Sequence, residues 1–427
     1  MPLAYSPLEL SRHQEPSTKV KQLPRTRAAV GRRMAELIAL AQRRNLFLPI
    51  EIMAMIFDYY VHLYRQLPEK LLLVCRTWHV LALSQPTLWT NLDPLSQFNL
   101  TVVRPWVGTY LQSRIARSNP APLKVDFARL KRDMTPSVVK KVAAIPTFLS
   151  RIQELTINRD LDMIFLAGNQ PLLKSLTIYN CHPWDKLTEN LTGKNLTTLR
   201  LLWTDVPPPL PDSLFRRLQT LEVTLPRNPE GLHEYWTMIQ KSTTLRTLHI
   251  SLTHGNAPIL SHPSIQHLSV VYPDYQYPEH SLEEVRMPRL QDVVIDTRHP
   301  KELRKLKLVE TPVKSLHLKC RSPVWDIDAA VDISWVDSAV HLLRSTPGLE
   351  KLEISIPSNL VSGLLEALEQ DTSLCTELHV FLVNNPMGTE HVGSDGKRNI
   401  EAKFAQLRGR VASFINMRQS GTLTTSQ

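Results

Sequence analysis

From Ile152 to Val380 the chain repeats one short pattern of apolar and polar positions. Six-residue windows carry apolar side chains in slots one, four and six, and in nine of the ten the other slots are polar. They read IQELTI at 152, LKSLTI at 173, LTTLRL at 196, LQTLEV at 218 and LRTLHI at 245. IQHLSV at 265, LQDVVI at 290, VKSLHL at 313, LEKLEI at 349 and CTELHV at 375 follow. Successive starts lie 21, 23, 22, 27, 20, 25, 23, 36 and 26 residues apart. At 42% apolar residues, a random window fits with probability about 0.014, so about four fits are expected over roughly 270 starts. At least eleven strict fits occur, and LEEVRM at 282 and LRKLKL at 303 stand out of phase with the train. The alternation in the later slots predicts one short strand per window. The 36-residue gap after VKSLHL holds DAAVDISWVDSAVHLLRS, a helical insert.

Each window resembles the strand segment of a leucine-rich repeat, whose usual period is 20–29 residues. The asparagine usual after that strand is mostly missing, which marks these repeats as irregular. One repeat cannot bury its own apolar face, so stacked neighbours share a continuous core. Slots one, four and six then point inward. Slot five faces the concave side of a parallel sheet, where Arg200, Glu222, His249, His317, Glu353 and His379 make candidate contacts for a protein segment. An ordinary solvated face, with binding on the loops, is the alternative. The three histidines stand two or more repeats apart, too far for one metal.

A different pattern fills Leu48–Leu92. There 27 of 45 residues are apolar, and a unit this short cannot hide them alone. The surplus must be covered by the rest of the chain or by another protein. Pro49 and Pro68 open helices, each with a glutamate in its first turn. The residues after Pro49 are apolar on nearly every side. After Pro68, Leu71, Val74, Cys75, Trp78 and Ala82 predict one helical stripe, which Pro86 stops.

The run LP-x-EI-x-x-x-IF from Leu48, then VCR-x-W from Val74, then P-x-LW from Pro86 resembles an F-box, in the variant common in large fungal families. The resemblance implies three short helices that dock on a Skp-family adaptor, itself joined to a cullin–RING ubiquitin ligase of SCF type. By position it makes Leu48, Pro49, Ile52, Ile56, Val74 and Trp78 adaptor-binding residues. The fold class that follows is α/β: an all-α F-box, then a leucine-rich-repeat solenoid with its parallel sheet on the concave face. The expected divisions are a basic disordered arm (1–26), a helix packing on the F-box (27–44), the F-box (45–92) and connector helices with a first strand (93–150). Beyond them come the solenoid (151–383), a mobile loop (384–400), a capping helix (401–418) and a disordered tail (419–427).

Charge changes this picture only at the start of the chain. Of the net +10, residues 1–44 hold +6, from nine Lys/Arg against three Glu, and the other 383 residues hold only +4. A solvated arm is one reading, and an arm touching nucleic acid or an acidic partner is another. The helical stretch at 27–44 puts Val30, Met34, Leu37, Ile38 and Ala41 on one stripe. PPPLPDSL from Pro207 falls between two strands and reads as a stiff loop. Cys75, Cys181, Cys320 and Cys375 lack metal-ligand spacing and are expected as reduced, buried thiols. No run of 18 apolar residues and no signal-peptide layout is present, so a cytosolic or nuclear protein is expected.

No nucleophile elbow, phosphate-binding glycine loop, dinucleotide fingerprint or HExxH helix is found. The function expected is therefore a non-catalytic substrate-recognition subunit, without cofactor or metal. A repeat scaffold outside any ligase and a nucleic-acid or chromatin binder using the basic arm remain open.

Overall fold

The computed structural model describes residues 48–63, 66–93, 106–128, 140–158, 170–179, 195–202, 212–224, 236–252, 259–272, 282–297, 300–320, 329–384 and 394–420. The basic arm, the 27–44 stretch, Cys181, residues 207–211 of the expected stiff loop and the extreme C-terminal tail lie outside these residues; the end of that loop, Asp212–Phe215, is a helical turn.

Among the described residues the chain is a mixed α/β solenoid built on one parallel sheet of twelve strands. In sequence these are β1 (Asn91–Leu92), β2 (Leu123–Asp126), β3 (Ile152–Asn158), β4 (Ser175–Tyr179), β5 (Thr198–Leu202) and β6 (Thr220–Thr224). β7 (Thr247–Ser251), β9 (His267–Val271), β11 (Asp292–Asp296), β13 (Ser315–Lys319), β14 (Lys351–Ser355) and β15 (Val380–Val383) complete it. The strands stand side by side in chain order. In the first nine windows of the train, the residues in slots one, four and six are all buried, none more than 2% exposed.

A backbone device repeats with the strands. The carbonyl in slot two accepts two N–H groups from the next repeat: Gln219 O from Arg246 and Thr247, and Lys314 O from Glu350 and Lys351. Hydroxyls just ahead of slot one add side-chain bonds to the preceding repeat. Thr244 Oγ1 donates to Leu218 O at 2.8 Å, and Ser264 Oγ to Leu245 O at 2.8 Å.

The tenth window is shifted. Glu350 O accepts from His379 and Val380, so His379 occupies slot two. The inward side chains are Leu378, Phe381 and Val383, all buried. His379 therefore does not stand on the open face of the sheet; Leu382, paired in register with Glu353, takes that place. The two out-of-phase windows are strands too. With β8 (Leu260–Ser261), their segments β10 (Glu284–Arg286) and β12 (Lys307–Val309) form a second, three-stranded parallel sheet.

The helical insert spans Ala329–Arg344, and a further helix spans Ser358–Gln370. Gly363 lets these two approach: a Cβ there would lie 3.0 Å from Val336 Cγ2. The last helix, Ser394–Gln419, begins ahead of the expected 401. It buries Phe404, Leu407, Val411 and Phe414, closing the open end of the core beside β15. Arg418 donates to Leu374 O and Cys375 O and stacks on Phe414. Cys320 and Cys375 are buried, and burial pushes the Cys375 thiol up to about 12. Cys75 is exposed, contrary to expectation.

At the other end, helix Ile50–Asp58 continues as a π-turn over Tyr59–Leu63. A 3-10 helix Pro68–Leu73, a helix Arg76–Leu83 and a 3-10 turn Pro86–Trp89 follow. The stripe expected from Leu71 to Ala82 does not exist as one helix. Cys75 is extended (φ −161, ψ 169) and breaks it, so Val74 and Cys75 point to solvent while Leu71 and Ala82 are buried. This unit has its own small core around Phe57, Leu81, Leu88 and Trp89.

Where β3 begins, the guanidinium of buried Arg151 donates to Ala121 O, Ile115 O, Ser118 O and Ser118 Oγ. Arg151→Met removes this set of buried hydrogen bonds, leaving Ile115 O with Ser118 Oγ and Ser118 O with Ala121 N as donors, and we expect it to lower the unfolding free energy by about 2–4 kcal/mol. Urea denaturation reads the change, and an unchanged midpoint would mean that the cluster is not structural.

Candidate functional site

The first candidate surface is the outer face of the helical unit. Among the described residues, ten of the fourteen large apolar side chains left exposed fall between Leu48 and Leu83. Ile52, Met55, Tyr59 and Leu63 run up one side of the first helical segment at spacings of three, four and four, with exposed Leu48 just ahead of it. The side facing away from this row is anchored by buried Phe57 and Val61. Leu73, Val74, Val80 and Leu83 add exposed apolar positions from the later turns, with Leu73 at 85% exposure. A groove of 580 Å³ lies between the first helix and the Pro86 turn, lined by Met55, Asp58, Tyr59 and Gln85 among others.

Of the residues singled out by motif, Leu48, Pro49, Ile52 and Val74 are exposed. Ile56 and Trp78 are half-buried against the small core, Trp78 tilted on Phe57 with ring centroids 4.7 Å apart. Met55, Tyr59, Leu73 and Val80 lie outside the motif positions. Their signal in the sequence was the helix apolar all round, which no single core can satisfy.

This unit is fastened to the sheet. Arg114, on helix Trp106–Arg117, is only 4% exposed. Its Nε and Nη2 donate to the two Glu69 carboxylate oxygens, each at 2.9 Å, and Nη1 donates to Asn91 O at 2.7 Å. Arg117 lies over the Trp89 ring, 4.6 Å from its centroid. The chain then enters β1 two residues after Trp89.

The second candidate surface is the open face of the sheet. Register places Thr156, Thr177, Arg200, Glu222, His249, Ser269, Val294, His317, Glu353 and Leu382 in one row. The predicted Arg200, Glu222, His249, His317 and Glu353 thus share a row, and His379 is absent from it. Charges here pair across strands. Arg200 lies 3.3 Å from Glu222, Lys124 2.7 Å from Glu154 and His267 2.6 Å from Asp292. Lys351 lies 3.2 Å from Glu353, which also accepts from Asn384 Nδ2 at 2.8 Å. His317 Nε2 is 3.0 Å from Ser355 Oγ, and Nδ1 is 3.7 Å from Glu353.

Burial pushes the His249 and His317 imidazoles below their ordinary pKa; Glu222 partly opposes this at His249, as Glu353 does at His317. Burial alone would raise the Glu353 carboxyl, but His317, Lys351 and Asn384 together hold it low. His249 and His317 are three strand steps apart, about 14 Å. Among the described residues no cluster of His, Cys, Asp and Glu is arranged to hold a metal ion. No described helix is long and apolar enough to cross a membrane.

The chain matches no family model and no curated protein. Among solved structures it is similar to the crystal structure of the Rad7 and Elc1 complex in yeast. That match has a TM-score of 0.31 and 12% identity, and covers 83% of this chain and 85% of the other. At that score the likeness adds nothing to the fold described above.

Two measurements follow from these geometries. Glu69→Ala strands a buried guanidinium and should cost about 3 kcal/mol, whereas Asp292→Asn, in an exposed pair, should cost under about 1 kcal/mol. Equal effects in urea denaturation would mean that Arg114 is solvated.

The second concerns pH. His262 is fully buried, with Nε2 3.2 Å from Ile239 O and Nδ1 accepting from Ser264 N, an arrangement that needs the neutral ring. Burial lowers its pKa as it does for His249 and His317. The unfolded chain, with histidines near pKa 6.5, then binds more protons below about pH 6.5, so stability falls as pH drops from there. Unfolding free energies at about pH 7 and about pH 5 should differ in wild type and differ less in His262→Gln; parallel curves would remove His262 from the account.

Proposed function

We propose that this chain is a non-catalytic receptor that docks on a Skp-family adaptor through the helical unit and carries a protein partner on its repeats. The observation that carries the reading is the concentration of exposed apolar side chains on a unit whose own core is already closed. An apolar face of this kind on a folded protein is an interaction surface. The three motif segments from Leu48, Val74 and Pro86 lie in this same unit, which supports an F-box as its identity.

In this reading Leu48, Pro49, Ile52 and Val74 meet the adaptor directly. Ile56 and Trp78 hold the helices that present them. Met55 and Tyr59 extend the contact along the first helix. The fastening of Arg114 to Glu69 then joins the adaptor contact to the sheet as one body. No group on the chain is asked to perform chemistry. A receptor joined to a cullin–RING ligase acts by proximity, raising the effective concentration of its bound partner near the transferred ubiquitin.

The test is co-purification of the full chain with a Skp-family adaptor and cullin, using Ile52→Asp with Val74→Asp. Both side chains are exposed, so the fold should survive, which circular dichroism checks. Wild type should bind, and the double variant should lose at least about a hundredfold in affinity. A folded wild-type chain that captures no adaptor would leave a repeat scaffold outside any ligase.

A further inference from the structure

Hydroxyls elsewhere in the repeats, such as those of Ser242, Thr244 and Ser264, donate to backbone carbonyls. The Ser355 hydroxyl meets a histidine instead. Ser355 ends β14, in register with Lys319 at the end of β13, and both stand on the open face. Ser355 Oγ lies 3.0 Å from His317 Nε2. On the other side of that ring, Nδ1 lies 3.7 Å from Glu353 Oε1. Glu353 is itself fixed by Asn384 Nδ2 at 2.8 Å and Lys351 Nζ at 3.2 Å.

The direction of the protons follows. Burial would raise the Glu353 carboxyl, yet His317, Lys351 and Asn384 together keep it ionised. A carboxylate only accepts, so the ring nitrogen facing it carries the hydrogen. Burial lowers the His317 pKa and keeps the ring neutral near pH 7. Nε2 is then left with a lone pair toward Ser355, and the hydroxyl is the donor. A hydroxyl bonded to a neutral imidazole, with a carboxylate behind the ring, is the arrangement that activates a nucleophile. The Lys319 ammonium has no ion pair among the described residues and can face negative charge that develops beside Ser355.

We propose that Ser355 is an acylation site, activated by His317 to take the acyl group of an activated ester. A bond forms between Ser355 Oγ and the carbonyl carbon as the hydroxyl proton passes to His317 Nε2. The oxygen of the tetrahedral intermediate carries the charge beside Lys319. When the bond to the leaving oxygen breaks, that oxygen takes the proton from Nε2, and the acyl group stays on Ser355 as an ester. Glu353 is a positioning residue. None of this rests on the receptor reading, which asks no chemistry of the chain, and the assay needs no adaptor.

The probe is a rhodamine-tagged fluorophosphonate on the purified full chain, with the label located by peptide mass spectrometry. Ser355 Oγ bonds to phosphorus as fluoride leaves, the proton again passing to Nε2. Wild type should be labelled at Ser355, and p-nitrophenyl acetate added first should block the label by acetylating the same oxygen. Ser315, on the same face, should stay unlabelled. Ser355→Ala should lose the label. His317→Gln, which keeps a polar group but removes the base, should slow labelling at least about a hundredfold.

The pH profile separates positioning from structure. Glu353 and Asp296 raise the pKa of this ring, and Lys319 and Lys351 lower it, as burial does. The wild-type rate should therefore rise with pH and level off, with a midpoint below about pH 6.5. Glu353→Gln should slow labelling at least about tenfold and move that midpoint lower. Circular dichroism checks the fold, and the wild-type profile carries the test if His317→Gln misfolds. An unlabelled wild type, equal labelling of Ser315, a label that p-nitrophenyl acetate leaves unchanged, an unchanged rate in folded His317→Gln, or a rate that climbs without a plateau would overturn the proposal.

Discussion

Everything in this fold depends on the inability of one repeat to bury its own apolar side. The residues in slots one, four and six are hidden only because the neighbouring strand and its connection lie against them. The slot-two carbonyl adds a directional link by accepting two N–H groups from the following repeat. Each repeat therefore fixes the height of the next. Such an array needs a lid at each end, since a terminal strand would otherwise expose both apolar side chains and unpaired backbone. The helix Ser394–Gln419 closes one end. At the other, helix Trp106–Arg117 packs near β1 and ties the helical unit to the sheet through Arg114.

The two ends differ in chemistry. The C-terminal lid buries an aromatic and aliphatic stripe and uses Arg418 to satisfy turn carbonyls. The N-terminal junction is polar, built on a guanidinium shared between a carboxylate and a backbone carbonyl. A buried ion pair of this kind contributes little net stability compared with apolar packing, yet removing one partner is costly. It fixes one orientation and penalises others, which an apolar contact does less strictly. The helical unit keeps a separate small core on the far side of that junction, so fold and outward apolar face are maintained by different residues.

Much of this was legible in the sequence, for physical reasons that also explain where it was not. Strand positions could be read because slots four to six alternate, and alternation is what a half-buried strand requires. The tenth window failed because Leu374, Cys375, Leu378, Val380, Phe381 and Val383 offer several apolar registers, and only the backbone ladder selects one. The break at Cys75 carries no glycine or proline to announce it. The open-face row of Arg200, Glu222, His249, His317 and Glu353 followed from the period, but their cross-strand pairing did not. Neither did the union of Arg114 with Glu69, 45 residues away. Local pattern is silent about such distant charge partners, and about which apolar helix faces stay uncovered.

The parallel, in-order stacking also gives the molecule a scale. Neighbouring strands stand about 4.8 Å apart, so the eleven steps from β1 to β15 mark out about 50 Å along the sheet. The junction at Arg114 makes the helical unit the zero of that scale. A ligand's place in the strand order then fixes its distance from the helices. Loss or gain of a repeat would move everything beyond it by one graduation while leaving local contacts unchanged. Reach and recognition are thereby separate properties of this chain: the first is counted in strands, and the second is written in the side chains each strand displays.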